Sequence, residues 1–374
     1  MPTLLSARLP AWTPELPAGT DTRRRRPRDA VKALLVKTSS LGDVVHALPA
    51  VTAAHRHGVR FDWVVEEAYQ AIAERHPAVD RAIPIAWRRW RRKLVRSRGA
   101  MGAFLAKLGT QEYDLVLDAQ GLVKSAMVAA LARGAEKVGF ARGDVREAAA
   151  AWFYQRGVAV PRQQHAIDRQ RQLFAGAFGY AQDAAEPLDF GLSRRESTGS
   201  ACRSACLFLH GGSWPSKRWP EAMWIELARQ AAAAGFEVLL PWGDQAERCR
   251  AERIAAQGGG RTLPAMDIGE WIDLLQGVRL TVGVDSGLAH LAAACAVPTL
   301  ALYGSTAPDL TGCRGEGAAT LASTFPCAPC LSRTCRYRGP GRLWRDEPVN
   351  PPCYAELTPE RVWARALALL GADA

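Results

Sequence analysis

A carboxylate, a hydroxyl, a glycine and a histidine fall close together at Asp285-Ser286-Gly287-Leu288-Ala289-His290. The apolar run 280–284 before them reads as a buried strand, and 288–296 after them as a small-residue helix. In an open α/β sheet, ligands bind in the crevice at such strand ends. The free N–H groups of the new helix favour an anion such as a phosphate, and Gly287 lets a ligand approach the backbone. His290 lies one turn beyond Ser286, on the same side of that helix. Two other segments have similar settings. After an apolar strand at 33–37 comes Lys37-Thr38-Ser39-Ser40-Leu41-Gly42-Asp43, where Asp43 serves equally as a general base or as a helix cap. The segment 210–220, between a strand and a helix, carries Lys217, which as a lone loop lysine reads as a solvent-facing cation.

Positioning these residues needs alternating strands and helices. Strands are expected at 33–37, 61–65 and 115–117, with a helix through 44–55 bent at Pro49. The same grammar restarts with strands at 207–210, 238–241, 262–264, 280–284 and 299–303, and helices from Pro220, Gln245, Ile268 and Leu288. Thr358-Pro359-Glu360 starts a last helix: Thr caps, Pro fits the first turn and Glu suits the positive end. The expected architecture is α/β, two doubly wound Rossmann-like domains facing across a cleft. Its divisions are a proline-rich, disordered extension over 1–30, a first domain over 31–185, a linker over 186–200, a second domain over 201–357 and a C-terminal helix over 358–374.

Composition narrows the class further. The chain has 374 residues, enough for two cores, and no apolar run long enough to span a membrane. Its N-terminus lacks the charged-then-apolar order of a secretion signal, so a cytoplasmic location is expected. Nine cysteines, an odd number, argue for free thiols over a disulfide framework. The net charge of +11 is concentrated in Arg23–Arg26 and in the arginines and lysine of 88–98, interleaved by Trp87 and Trp90. Such a face is solvated, or it meets nucleic acid or an anionic membrane surface.

Val36-Lys37-Thr38-Ser39-Ser40-Leu41-Gly42-Asp43-Val44-Val45-His46 resembles the opening of the bacterial heptosyltransferases of lipopolysaccharide core assembly. Phe61-Asp62-Trp63-Val64-Val65-Glu66-Glu67, Asp118-Ala119-Gln120-Gly121-Leu122-Val123-Lys124-Ser125, Leu240-Pro241-Trp242-Gly243 and Asp285–His290 follow in that family's order, from about Lys32 onward. The wording is most similar to the branch that attaches the first heptose to the Kdo of Kdo2-lipid A. The resemblance implies a GT-B fold, an ADP-L-glycero-β-D-manno-heptose donor, inverting transfer and no required cofactor.

The resemblance assigns Asp43 the general base. Lys37, Ser39, Ser40 and Gly42 would offer donors to an acceptor carboxylate. Gly212 and Ser213 stand where relatives place hydroxyl residues on the diphosphate; enteric members have threonine where Gly212 is, which leaves only an N–H here. Lys217 matches a phosphate-binding lysine, Glu247 a ribose-binding carboxylate with Asp244 as a rival, and Met266 a residue of the adenine pocket. Asp285, Ser286, Gly287 and His290 complete the donor site, with 304–308 as a further loop. The family also implies an acceptor on the inner leaflet. That favours peripheral attachment to the cytoplasmic face of the inner membrane through the basic 87–98 segment over nucleic acid, for which no fold signature is present.

Cys327, Cys330, Cys335 and Cys353 have ligand-like spacing, which suits a structural zinc or reduced thiols packing a long loop. Two competing functions remain at this level. One is a heptosyltransferase that adds the second or a later heptose; the other is a catalytically silent nucleotide-sugar-binding or zinc-dependent nucleic-acid-binding module.

Overall fold

The computed structural model describes residues 30–92, 95–183, 185–192 and 204–371. The expected extension (Ala30 aside), most of the linker and Cys202 lie outside them. The first half builds a sheet from β1 (Val31–Val36), β2 (Val59–Glu66), β3 (Val79–Ile85), β4 (Glu112–Asp118), β5 (Arg133–Phe140) and β6 (Arg156–Val158). Its helices are α1 (Leu41–Val45), α2 (Leu48–Arg56), α3 (Gln70–Arg75), α4 (Trp87–Arg92), α5 (Arg98–Gly109), α6 (Val123–Leu131) and α7 (Ala166–Phe178). The second sheet comprises β7 (Ala205–Leu209), β8 (Glu237–Leu240), β9 (Arg261–Thr262), β10 (Leu280–Val284), β11 (Thr299–Tyr303) and β12 (Ala318–Ala322). Between and after them lie α8 (Glu221–Ala233), α9 (Gln245–Gly258), α10 (Ile268–Leu275), α11 (Gly287–Ala294), α12 (Pro308–Thr311) and α13 (Pro359–Gly371). A small antiparallel hairpin, β13 (Arg342–Trp344) and β14 (Glu347–Val349), precedes α13.

Both six-stranded sheets are parallel and share one order, β3-β2-β1-β4-β5-β6 and β9-β8-β7-β10-β11-β12. In each, the order reverses beside the first strand, between β1 and β4 and between β7 and β10. Loops leaving those strands diverge to opposite faces, which opens a crevice at their carboxyl ends. The central strands are apolar on both faces, as parallel strands under helices must be: Leu34, Leu35, Leu207, Phe208, Val282 and Leu300 are fully buried.

The expected helix over 44–55 is two helices. The chain turns at His46 and Ala47, and Pro49, which has no N–H to give, sits in the first turn of α2 where none is needed. The last helix begins as expected, with the Arg361 N–H donating to Thr358 Oγ1 at 3.4 Å.

The two domains meet along α1 and α11. A Cβ on Gly287 would lie 2.7 Å from Leu41 Cβ, and one on Gly42 would lie 3.2 Å from the His290 ring. Gly287 is thus required by the approach of the other domain's helix, and it also lines the cleft, where the sequence suggested approach by a ligand. Arg75 donates to Asp273 at 2.9 Å, and His165 Nε2 bonds the Gly312 carbonyl at 3.0 Å, fastening the seam further out.

Candidate active site

The crevices of the two sheets open toward each other. The larger cavity, about 600 Å³, lies at the β7/β10 reversal and is closed from the first domain by α1. Lys217 ends a 3₁₀ turn at Pro215–Lys217, and its ammonium pairs with Asp285 Oδ2 at 2.7 Å while standing 4.8 Å from the Trp214 ring centre. Asp285 leaves β10, and its other oxygen faces His290 Nε2 at 3.5 Å. Burial alone would raise this carboxyl, but His290 and Lys217 outweigh it and hold it at about 2. Asp285 is therefore an anion across the working pH range, and it fixes the lysine beside the α11 N-terminus.

Ser286 caps α11 through its Oγ, which accepts from the Ala289 N–H at 3.4 Å. Gly212 and Ser213 line the same cavity. A Cβ at Gly212 would make only ordinary contacts, 3.5 Å or more, so the loop has room for a side chain that this chain does without. Asp244 and Glu247 divide their work. Asp244 caps α9 by accepting from the Glu247 N–H at 2.8 Å, while Glu247 lines the cavity and accepts from the Gly243 N–H at 2.8 Å. Met266 lines the cavity, as do the apolar side chains of Trp242, Ile268 and Trp271. The Trp242 indole is held in place by donating to the Leu263 carbonyl at 2.7 Å.

On the facing wall, Asp43 is the third residue of α1 and not its cap. Its Oδ2 accepts from the Ser40 N–H at 2.7 Å and the Ser40 hydroxyl at 2.9 Å, closing a capping box. One carboxylate oxygen thus orients the group and the other is left for chemistry. Asp43 lines the large cavity together with Ser40 and Gly42, and it also lines a second one of about 320 Å³.

That second cavity lies at the β1/β4 reversal. Lys37, only 4% exposed, projects into it and donates to the Ala119 carbonyl at 3.1 Å. Burial lowers its pKa, against a smaller upward pull from Asp43 and Asp118. It is no surface cation. Arg146, Arg162 and Arg169 line the same space, against Asp43 and Asp144, so the pocket is cationic. Ser39 lines neither cavity; its N–H donates to Gln120 Oε1 at 3.2 Å.

Sequence reasoning did not single out Arg146, Arg162, Arg169, Trp271 or Tyr69, and it placed Arg88 in the basic 87–98 segment and not at the site. Trp242 stood in a quoted motif but was given no role. Tyr69 and Arg88 line the large cavity, joined by a 3.1 Å hydrogen bond. Behind the His290 ring, His46 places Nε2 3.3 Å from His290 Nδ1. Burial, with His290 and His165 nearby, keeps the His46 pKa well below the ordinary value, so this ring is neutral.

The four cysteines line one cavity of about 310 Å³. Cys327 and Cys330 are exposed while Cys353 is buried, its thiol raised to about 12 chiefly by burial. Among the described residues, no three His, Cys, Asp or Glu side chains are disposed to hold a metal ion, so of the two readings of these cysteines the zinc set is not assembled. Cys353 is turned against the backbone at Gly304, where an added Cβ would lie 3.0 Å from its sulfur.

Residues 101–339 match the sequence profile of glycosyltransferase family 9 (heptosyltransferase). Lipopolysaccharide heptosyltransferase 1 of Pseudomonas aeruginosa is 44% identical over 349 residues, covering 91% of this chain and 98% of that protein. Among solved structures, the E. coli heptosyltransferase WaaC with ADP superposes with a TM-score of 0.73 at 39% identity, over 78% of this chain and 93% of that one. WaaC with ADP-2-deoxy-2-fluoro heptose gives 0.70 at 38% identity, over the same 78% and 93%. With this GT-B arrangement of two parallel sheets about a cleft, the chain belongs to glycosyltransferase family 9, the heptosyltransferases.

Proposed function

We propose that this enzyme moves L-glycero-D-manno-heptose from ADP-heptose to a hydroxyl of the Kdo in Kdo2-lipid A, with inversion. The single observation that carries this reading is that Asp43 lines both cavities. The larger cavity accommodates the donor: adenine against Trp242, Met266 and Trp271, ribose on Glu247, and diphosphate at Lys217, Ser213, the Gly212 N–H and the α11 N-terminus. The cationic cavity receives the acceptor, whose carboxylates are drawn to Lys37, Arg146, Arg162 and Arg169. Both sites then converge on one carboxylate.

In the transfer step, the acceptor oxygen attacks the anomeric carbon from the face opposite ADP. As the new C–O bond forms, the hydroxyl proton passes to Asp43. The bond to the diphosphate breaks with its electron pair, and Lys217 with the helix N–H groups stabilises the charge that develops on ADP. His290, with Nε2 facing Asp285 and Nδ1 facing His46, braces the Asp285 carboxylate that holds Lys217. Because the acceptor is a lipid, the enzyme works as a peripheral protein on the cytoplasmic face of the inner membrane. Among the described residues no helix is long and apolar enough to cross a membrane.

Incubation with ADP-heptose and Kdo2-lipid A tests the reading: the lipid gains the mass of one heptosyl residue, and a heptosylated acceptor gains none. Asp43→Asn loses a factor of roughly 10²–10⁴ in kcat while ADP binding persists. An unmodified lipid, or full turnover in Asp43→Asn, refutes it.

A further inference from the structure

The layer formed by α4, α5, α6 and the 3₁₀ turn Ala148–Phe153 covers one face of the first sheet. Its inward side chains are satisfied: Trp90, Phe104, Leu108, Val128 and Ala129 are buried against Leu34, Val36, Val64 and Val116. Its outward side carries large apolar groups. Trp152 is 73% exposed, Leu131 60%, Met127 47% and Leu105 45%. Helix α6 shows the anomaly best. Apart from Lys124 and Ser125 it is apolar all round, and Met127 and Leu131, one turn apart, form an exposed row. A helix that is hydrophobic on every side is normally buried on every side.

The rim of this surface is cationic. Arg88, Arg89, Arg91, Arg92, Arg96 and Arg98 are exposed along one flank. On the other flank Arg142 stands 6.0 Å from the Trp152 ring centre, and Arg146 is exposed. The two flanks end at the active site, since Arg88 lines the larger cavity and Arg146 the cationic one.

We infer that this layer is a bilayer-docking face, in which Trp152, Leu131, Met127 and Leu105 enter the interfacial region of an anionic membrane while the arginines meet its headgroup phosphates. Exposed apolar groups rimmed by arginine match such a surface in both hydrophobicity and charge. An exposed tryptophan with an arginine alongside suits the headgroup level. Docked this way, the mouth of the cationic cavity lies at the lipid surface, where the sugar head of an embedded acceptor enters without leaving the membrane. The inference rests on the lipid acceptor proposed above and adds which face reads it. Attachment then combines apolar insertion with charge, so it is not electrostatic alone.

The experiment compares the full-length protein with Trp152→Glu and Leu131→Glu, both at exposed sites. Each is measured for co-sedimentation with phosphatidylglycerol-containing vesicles and with phosphatidylcholine vesicles. Turnover is measured on vesicle-embedded Kdo2-lipid A and on a deacylated, water-soluble acceptor. The native protein partitions onto the anionic vesicles with a blue shift in tryptophan emission. Each variant partitions about tenfold less and loses turnover on the embedded acceptor in proportion, with the soluble acceptor unaffected. Unchanged partitioning of both variants overturns the inference, as does an equal loss on the soluble acceptor. So does a native protein that ignores both vesicle types and self-associates instead. If the native protein glycosylates neither acceptor, the functional reading fails, while the partition measurements still decide the docking face.

Discussion

The two strand-order reversals share one topology and handle positive charge differently. At β7/β10, Lys217 is locked to Asp285 at 2.7 Å, so its ammonium is held in place before any ligand arrives. At β1/β4, the buried Lys37 donates to the Ala119 carbonyl, with three arginines around the same cavity. A preorganised cation suits charge that appears only in the transition state, because no reorganisation is needed when the bond breaks. A cluster of four cations facing two carboxylates suits a ligand that brings its own negative charge. One topology thus holds a cation already paired with a carboxylate and, at the other reversal, cations in excess of carboxylates.

The sharpest way to break this comparison is Lys217→Ala. On the proposed mechanism it removes the cation that meets the developing charge and leaves the buried Asp285 without its lysine partner, so kcat is expected to fall roughly 10²–10³-fold. A change confined to donor KM would mean that Lys217 merely binds. Lys37→Met should act on the other side, raising the acceptor KM about tenfold while calorimetry finds ADP affinity unchanged. If ADP affinity falls too, the two sites are not separate.

Gly287→Ala probes the seam between them. The added methyl meets Leu41 at 2.7 Å, and overpacking of this kind costs about 1–3 kcal/mol. A lower melting temperature with reduced turnover is expected, and Leu41→Ala in the same chain should restore part of both. An unaltered melting temperature would show that the helices separate freely.

The smallest effect is that of pH. His76, His165 and His210 are lowered to about 4 by burial, and His46 is lowered as well. In the unfolded chain they take up protons near 6.5, so below that pH the unfolded state binds more protons and stability falls with pH toward 4. Chemical denaturation at pH 7.5 and 5 should give a lower unfolding free energy at the acid end. Since His46 and His165 lie on the domain seam, a profile independent of pH would remove them from any part in holding it.

Much of this protein was readable in its sequence, for definite reasons. Strands β10 and β11 are short apolar runs bounded by punctuating residues, and they occur where expected. Strands β3, β5, β6 and β12 went unread: Arg133–Phe140 is charged and without alternation, and it is a strand only because β4 and β6 flank it. Most of the residues singled out for the site do line one of the two cavities, because loop residues after strands share a crevice whatever their distance in sequence. The missed ones have no such local mark. Arg162 and Arg169 come from beyond the edge strand, and Trp271 lies inside a helix whose pattern predicts core.

Local chemistry was therefore determined by the sequence alone: which strands end in Lys, Asp-Ser-Gly or Gly-Gly-Ser, and which helices begin there. Spacing along a strand or helix is covalent, so these juxtapositions survive any arrangement of the rest. Only the tertiary structure decided that Asp43 borders two cavities, that Gly287 makes room for Leu41, and that Arg146, Arg162 and Arg169 surround Lys37. Those relations join segments more than a hundred residues apart. They depend on how strands and crossover helices pack within a domain and on how the two domains meet, which no local pattern encodes.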